Sequence, residues 1–200
     1  MKLRERQRLA KYYDASAQLL DEKKRLCRLD EAETSRILES VGGSESLLDV
    51  GCGTGLLLKR AHSRLRVGVD LSISMLKIAK RRLSGGKDTL LVLADGCLLP
   101  FKDDSFDRVT CQDVISHLRD PAEMASEMVR VCRPGGKLAV TFQKKTLAGR
   151  LLSSYIGLRL KVPLHIHEQE KVEKIFENCG SSVVSRRLID GSIVMIEVRP

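Results

Sequence analysis

Short apolar runs alternate along this chain with stretches whose apolar residues recur every three or four positions. Segments 47–50, 65–70, 90–94, 106–111 and 137–142 have the length and composition of buried strands. Helical spacing lies between them, at Ile37, Leu38 and Val41, at Leu56-Leu57-Leu58, at Met75, Leu76, Ala79 and Leu83, and at Met124, Met128 and Val131. The helix ends carry their usual punctuation. Asp30-Glu31-Ala32-Glu33 reads as a capping box, and Asp120-Pro121-Ala122-Glu123 places Asp at the N-cap with Pro behind it. Gly42-Gly43, Gly85-Gly86 and Pro134-Gly135-Gly136 read as helix stops. This alternation predicts a parallel sheet with helices on both faces. The chain's end departs from it: after a helix over 168–178, two β-rich runs, 182–188 and 192–198, flank Asp190-Gly191. That hairpin signal makes the last strand antiparallel in an otherwise parallel sheet.

The first strand leads into Asp49-Val50-Gly51-Cys52-Gly53-Thr54-Gly55, then directly into a helix. Glycine permits positive φ and close approach of a ligand to the backbone. A dinucleotide fingerprint G-x-G-x-x-G would need its third glycine at position 56, which is Leu. Here the third glycine is Gly55, and an acid precedes the loop. Strands two and three also end in acids, Asp70 and Asp95. Ligands of open α/β sheets bind beyond the carboxyl ends of the strands. The loop, the two acids and the segment after strand four, with Gln112 and Asp113, therefore converge there.

Two hundred residues suit one domain. Its core must be aliphatic, because Trp is absent and aromatics are few. The formal charge of +9 suits nucleic acid, an anionic membrane surface, an acidic substrate or simply a solvated, soluble surface. The six cysteines are scattered without a C-x-x-C pair, which points to reduced thiols and no zinc site. The charged N-terminus lacks the apolar core of a signal peptide, and no run is long enough to span a membrane. A cytoplasmic location is expected.

Seven pieces run in one order over about 47–136: Asp49-Val50-Gly51-Cys52-Gly53-Thr54-Gly55, Val69-Asp70, Asp95-Gly96, Leu99-Pro100-Phe101, Ser105-Phe106-Asp107, His117-Leu118-Arg119-Asp120-Pro121 and Arg130-Val131-Cys132-Arg133-Pro134-Gly135-Gly136. Together they resemble a class I methyltransferase that uses S-adenosylmethionine (SAM), of the small ubiquinone/menaquinone-biosynthesis-like group. The resemblance implies a Rossmann-like α/β domain spanning 1–200, with a mostly parallel seven-stranded sheet and an antiparallel last strand. Residues 1–29 would be an N-terminal helical segment. It also implies SAM as cofactor, S-adenosylhomocysteine (SAH) as product, and a set of contacts. Gly51, Cys52, Gly53 and Gly55 would line the methionine part, with Asp49 serving its ammonium. Asp70 would take the ribose hydroxyls, Asp95 and Gly96 the adenine edge, and Leu71 with Leu99 the adenine faces. Gln112 would meet the methionine end. Tyr12 and Tyr13 match tyrosines that fold over the cofactor in many relatives, or else pack an ordinary amphipathic helix.

Methyl transfer needs alignment more than it needs a base. If a base is used, His117 is the candidate, with Asp113 behind it; otherwise His117 shapes the turn before the next helix. His165 and His167 alternate along the chain, but no third ligand has a fitting spacing, so no metal is expected. The long connection 143–167 carries Leu147, Leu151, Leu152, Tyr155 and Ile156 at helical spacing and Lys144, Lys145, Arg150, Arg159 and Lys161 without an acid. A connection this long inside a compact domain predicts a lid over the acceptor, with Tyr155 lining it. The acceptor expected is a small molecule. The alternatives are an RNA acceptor, favoured by charge but lacking a recognisable RNA module, and a SAM-binding subunit without turnover.

Overall fold

The computed structural model describes residues 3–27, 31–84, 86, 88–143, 165–189 and 193–200. The elements run α1 (Leu3–Cys27), α2 (Glu31–Val41), β1 (Ser44–Val50), α3 (Leu56–Arg60), β2 (Ser63–Asp70), α4 (Ile73–Arg82), β3 (Thr89–Leu93) and β4 (Phe106–Gln112). A 3₁₀ turn (Ile115–His117) follows, then α5 (Ala122–Val131), β5 (Cys132–Gln143), α6 (Gln169–Asn178), β6 (Ser182–Ile189) and β7 (Ile193–Arg199). The strands form one seven-stranded sheet of order β3-β2-β1-β4-β5-β7-β6. Pairing is parallel from β3 through β5, and β7 runs antiparallel to both its neighbours. The Rossmann-like class, the mostly parallel sheet and the antiparallel last strand are all as the sequence predicts.

Alternation along each strand sorts the core into two layers. Leu48 and Val50, Val67 and Val69, Val109 and Cys111, and Leu138, Val140 and Phe142 face α5 and α6. Leu47, Ala139 and Met195 face the opposite way, toward α2, α3 and α4. Helix α1 lies outside this second layer and packs its Ala17, Tyr13 and Leu20 stripe on Met75 and Ile78 of α4. Among the described residues, no helix is long and apolar enough to cross a membrane.

Among the predicted boundaries that move, two involve the proline signals. Strand β5 begins at Cys132, so Pro134-Gly135-Gly136 falls inside it rather than between helix and strand. Cys132 pairs with Phe106, and the register then shifts before Arg108 meets Lys137, so the extra residues form an irregularity. Gly136 is required there, because a Cβ would come within 2.9 Å of the Asp107 carbonyl. Helix α5 begins at Ala122, one residue later than the proline signal suggests; the Asp120 carboxylate accepts from the Ala122 amide at 3.1 Å. Asp30 of the expected capping box, Gly85, the Asp190-Gly191 turn and most of the 143–167 lid, Tyr155 included, lie outside the described residues.

Phe142 is fully buried on β5, where the parallel and antiparallel parts of the sheet meet. Phe142→Ala is expected to cost ~3–5 kcal/mol of stability, read from urea unfolding as a lower midpoint at unchanged slope.

Candidate functional site

The chain must leave β1 at Val50 and enter α3 at Leu56. It does so with Gly51, Gly53 and Gly55 all at positive φ, 74°, 52° and 76°. Two of the three are also held by packing. A Cβ on Gly51 would lie 2.2 Å from Val114 Cγ2, and one on Gly55 would press on Ala79 of α4 and on Leu83 at its C-cap. Gly53 differs: nothing lies within 4 Å of its Cβ position, so this loop backbone faces open space. The amides of Gly51 and Cys52 donate to the Val69 carbonyl at 2.8 and 2.9 Å, which ties the loop to the end of β2. The Cys52 side chain turns into the core against Gly68, and burial pushes its thiol pKa up, with Asp49 and Asp70 adding to the shift. Its side chain is thus spent on the core, and the backbone of Cys52 is the part that lines the loop.

Asp70 receives the Gly53 amide on one carboxylate oxygen and the Ser72 amide on the other, both at 2.8 Å. Burial raises its pKa; the amides of Ser72, Gly53 and Leu71 oppose this shift, and Asp14 adds to it. Each oxygen retains a lone-pair direction, so accepting a vicinal diol is still open to it. Asp95 accepts from the Cys97 amide at 2.9 Å and is ion-paired with Arg6 Nε at 2.8 Å. Gly96 lies against Val50 and Met124, where a Cβ would clash. Leu71 is half-buried, whereas Leu99 is packed in the core and donates its amide to Glu127 at 2.7 Å.

Asp49 is almost completely buried and accepts from Thr110 Oγ1 at 2.8 Å. Gln112, two residues farther along β4, is level with the glycine loop, because Asp49 pairs with Thr110 in parallel register. Its Oε1 accepts from Thr34 Oγ1 at 3.1 Å. Asp113 follows at φ 58°, and its amide donates to Thr141 Oγ1 at 3.1 Å. That threonine donates in turn to the carboxylate of buried Glu33.

Helix α1 crosses this region. Tyr13 Oη lies 2.5 Å from His117 Nε2, and the two rings meet edge to face, as do those of Tyr12 and Tyr13. Burial holds the Tyr13 phenol well above its ordinary range, and Tyr12, Asp70 and Asp113 push the same way. A protonated phenol both donates and accepts, so the direction of this bond follows the imidazole tautomer. Asp14 accepts from Ser72 Oγ at 2.6 Å and from the Ser74 amide at 2.9 Å. Burial of Asp14 raises its pKa, but these hydrogen bonds outweigh that and the net shift is downward. Arg82 pairs with Asp21 at 2.5 Å. His165 and His167 sit beside the 3₁₀ turn: the His165 amide donates to the Ser116 carbonyl at 2.7 Å, and His167 Nε2 is 2.9 Å from the Leu118 carbonyl. Among the described residues, no group of three His, Cys, Asp or Glu side chains is arranged to hold a metal.

The structure thus gathers Asp49, Gly51, Gly53, Gly55, Asp70, Leu71, Asp95, Gly96, Gln112, Tyr12, Tyr13 and His117 at one end of the sheet. Arg6, Asp14, Glu33 and Thr34 join them without a signal in the sequence. Arg6 and Asp14 lie on a polar helix whose partners are far away in the chain. Glu33 is fully accounted for by the capping-box pattern.

Asp70 titrates differently when folded, and the sign follows from its raised pKa. Protonated Asp70 suits the buried site better than ionised Asp70, so its contribution to stability is greatest at low pH. It is lost as pH rises from the ordinary carboxylate value, about 3.9, through the folded value. Without ligand, the stability difference between wild type and Asp70→Ala is therefore expected to shrink as pH rises through that window. Thermal unfolding at stepped pH measures it, and a difference that widens with pH contradicts the assignment.

Residues 48–140 match the family model described as a methyltransferase domain. A demethylmenaquinone methyltransferase of Clavibacter sepedonicus is 38% identical over 112 residues, 54% of this chain and 44% of that protein. The chain thus spans less than half the length of this relative. A SAM-dependent methyltransferase of Thermotoga maritima superposes with TM-score 0.78 at 18% identity, covering 94% of this chain and 98% of that one. A Streptomyces coelicolor geranyl diphosphate C-methyltransferase, solved with Mg²⁺, geranyl diphosphate and SAH, gives TM-score 0.73 at 16% identity over 87% of this chain and 80% of that one. Residues 48–140 therefore carry the match to a methyltransferase domain, and the seven-stranded fold is the one shared with the superposed methyltransferases.

Proposed function

We propose that this chain transfers a methyl group from SAM to a small-molecule acceptor by direct in-line displacement. The observation that carries the proposal is a linear order. Across the strands β3, β2, β1 and β4 lie Asp95, Asp70, the glycine loop and Gln112 in turn. An elongated ligand laid over these ends meets an acceptor for an amino group, a carboxylate suited to a diol, bare backbone, and an amide. This matches adenine, ribose, sulfonium and amino acid. The open face of Gly53 fits close contact with such a ligand. When bound, the sulfonium supplies a methyl group that is already electrophilic.

The chain's own residues then orient and seal. Asp70 fixes the ribose, and Leu71 lies against the adenine. Asp49, with Thr110 and backbone carbonyls, forms the negative end for the ammonium. Alignment of this kind accounts for ~7–11 kcal/mol of barrier. His117, with Nε2 held by Tyr13, takes up an acceptor proton through Tyr13 or after α1 shifts; an acceptor that carries no acidic proton needs neither. Helix α1, with half-buried Tyr13 joined to His117, covers the carboxyl end of the sheet, which suits a small acceptor better than an RNA groove. Cys52, Cys97, Cys111, Cys132 and Cys179 are free, in keeping with a reducing compartment such as the cytoplasm.

Calorimetry with SAM, SAH and NAD tests the reading. The folded protein is expected to bind the first two and not the third. Asp70→Ala should weaken SAH binding roughly tenfold to a hundredfold, the ~1–3 kcal/mol of unpaired hydroxyls. No SAH binding by the folded wild type refutes the proposal. Any RNA binding is expected to be weak and to fall steeply with salt; sequence-selective binding that persists at physiological salt would move the acceptor to RNA.

A further inference from the structure

Two adjacent residues of α2 hold two adjacent residues at the end of β4. Thr34 Oγ1 donates to Gln112 Oε1 at 3.1 Å. Glu33 accepts from Thr141 Oγ1, and Thr141 accepts from the Asp113 amide at 3.1 Å. Glu33, Thr34 and Thr141 are each at most 2% exposed. Polar groups this deeply buried stay where their partners hold them, because breaking the bonds leaves unsatisfied donors and acceptors. Asp113 has φ 58°, a conformation unfavourable for a residue other than glycine, and the Thr141 bond holds its amide there.

The consequence for Gln112 is chemical. An amide side chain has an acceptor end and a donor end, and they exchange places when the group turns over. With Thr34 donating to Oε1, the end left for a ligand is the NH₂, which only donates. Gln112 stands level with the glycine loop, and the following segment touches it, since a Cβ on Gly51 would strike Val114. A donor beside that loop suits a carboxylate and repels an ammonium.

We infer that Thr34, braced by Glu33 through Thr141, is a positioning residue that sets the Gln112 amide to donate to the carboxylate of the cofactor's amino-acid end. This rests on the SAM reading above and deepens it: α2, which precedes the glycine loop, selects for the amino-acid part of the ligand over the nucleoside part.

Two probes separate the parts. SAH carries the amino acid, and 5′-methylthioadenosine carries the nucleoside without it. Thr34→Val removes the hydroxyl and keeps the shape. It is expected to weaken SAH binding about fivefold to tenfold, the net worth of one oriented hydrogen bond. Methylthioadenosine affinity should stay within about twofold, and Thr34→Ser should restore SAH binding, both because only the hydroxyl matters. A structural defect would weaken both ligands alike and would not be rescued so selectively. Should Thr34→Val fail to fold, Gln112→Glu supplies the same test, since a carboxylate facing the ligand's carboxylate must lose SAH and spare methylthioadenosine. Equal losses of both ligands, or unchanged SAH affinity, overturn the inference while wild-type SAH binding keeps the SAM reading intact. Wild-type protein that binds no SAH overturns both.

Discussion

Everything at the carboxyl end of the sheet depends on how the chain turns between β1 and α3. The turn is tight enough to need positive φ at three glycines, and two of those glycines are pressed by Val114 on one side and by α4 on the other. Backbone amides that would be orphaned in so sharp a turn are taken by the Val69 carbonyl and by Asp70. Strand β2 therefore braces the loop that β1 emits. In the proposed reading the same carboxylate would take the ligand's ribose, which would make scaffold and binding group one residue. Burial raises the pKa of Asp70, and the amides it accepts from return part of that cost.

A second layer of order comes from polar contacts on the face that carries α2. Alternation places Asp49, Thr110 and Thr141 on that face, among aliphatic neighbours. None of these groups is tolerable alone in such surroundings. They are tolerated because hydroxyls pair with carboxylates across strands and up to α2. This row runs toward the glycine loop and Gln112, and it makes the ends of β1, β4 and β5 one connected unit.

Helix α1 is joined differently. Its apolar stripe on α4 is short, and its polar holds include Asp14 on the cap of α4, Arg82 on Asp21, Arg6 on Asp95 and Tyr13 on His117. Three of these four contacts reach residues at or next to the ligand-facing strand ends. In the proposed reading such a helix would be coupled to what occupies the site, because a ligand at Asp95 would meet Arg6 and one below His117 would meet Tyr13.

The strands, their parallel order, the antiparallel hairpin and the glycine loop were legible in the sequence because they rest on local rules. Alternation decides which face a residue takes, and glycine spacing decides where the backbone can reverse. The acids at 49, 70 and 95 were legible for the same reason, being polar groups where strands would otherwise stay apolar. Tertiary structure alone decided the rest. Tyr13 and His117, 104 residues apart, became one hydrogen-bonded pair, and Cys52 turned from loop to core because Gly68 leaves room for its sulfur. Arg6 reached Asp95, and Glu33, whose local pattern explains it as a cap, found Thr141 across 108 residues. Such contacts carry no periodicity. They are set by which elements the crossovers stack over which strand ends, and a linear pattern of residues does not contain that distance.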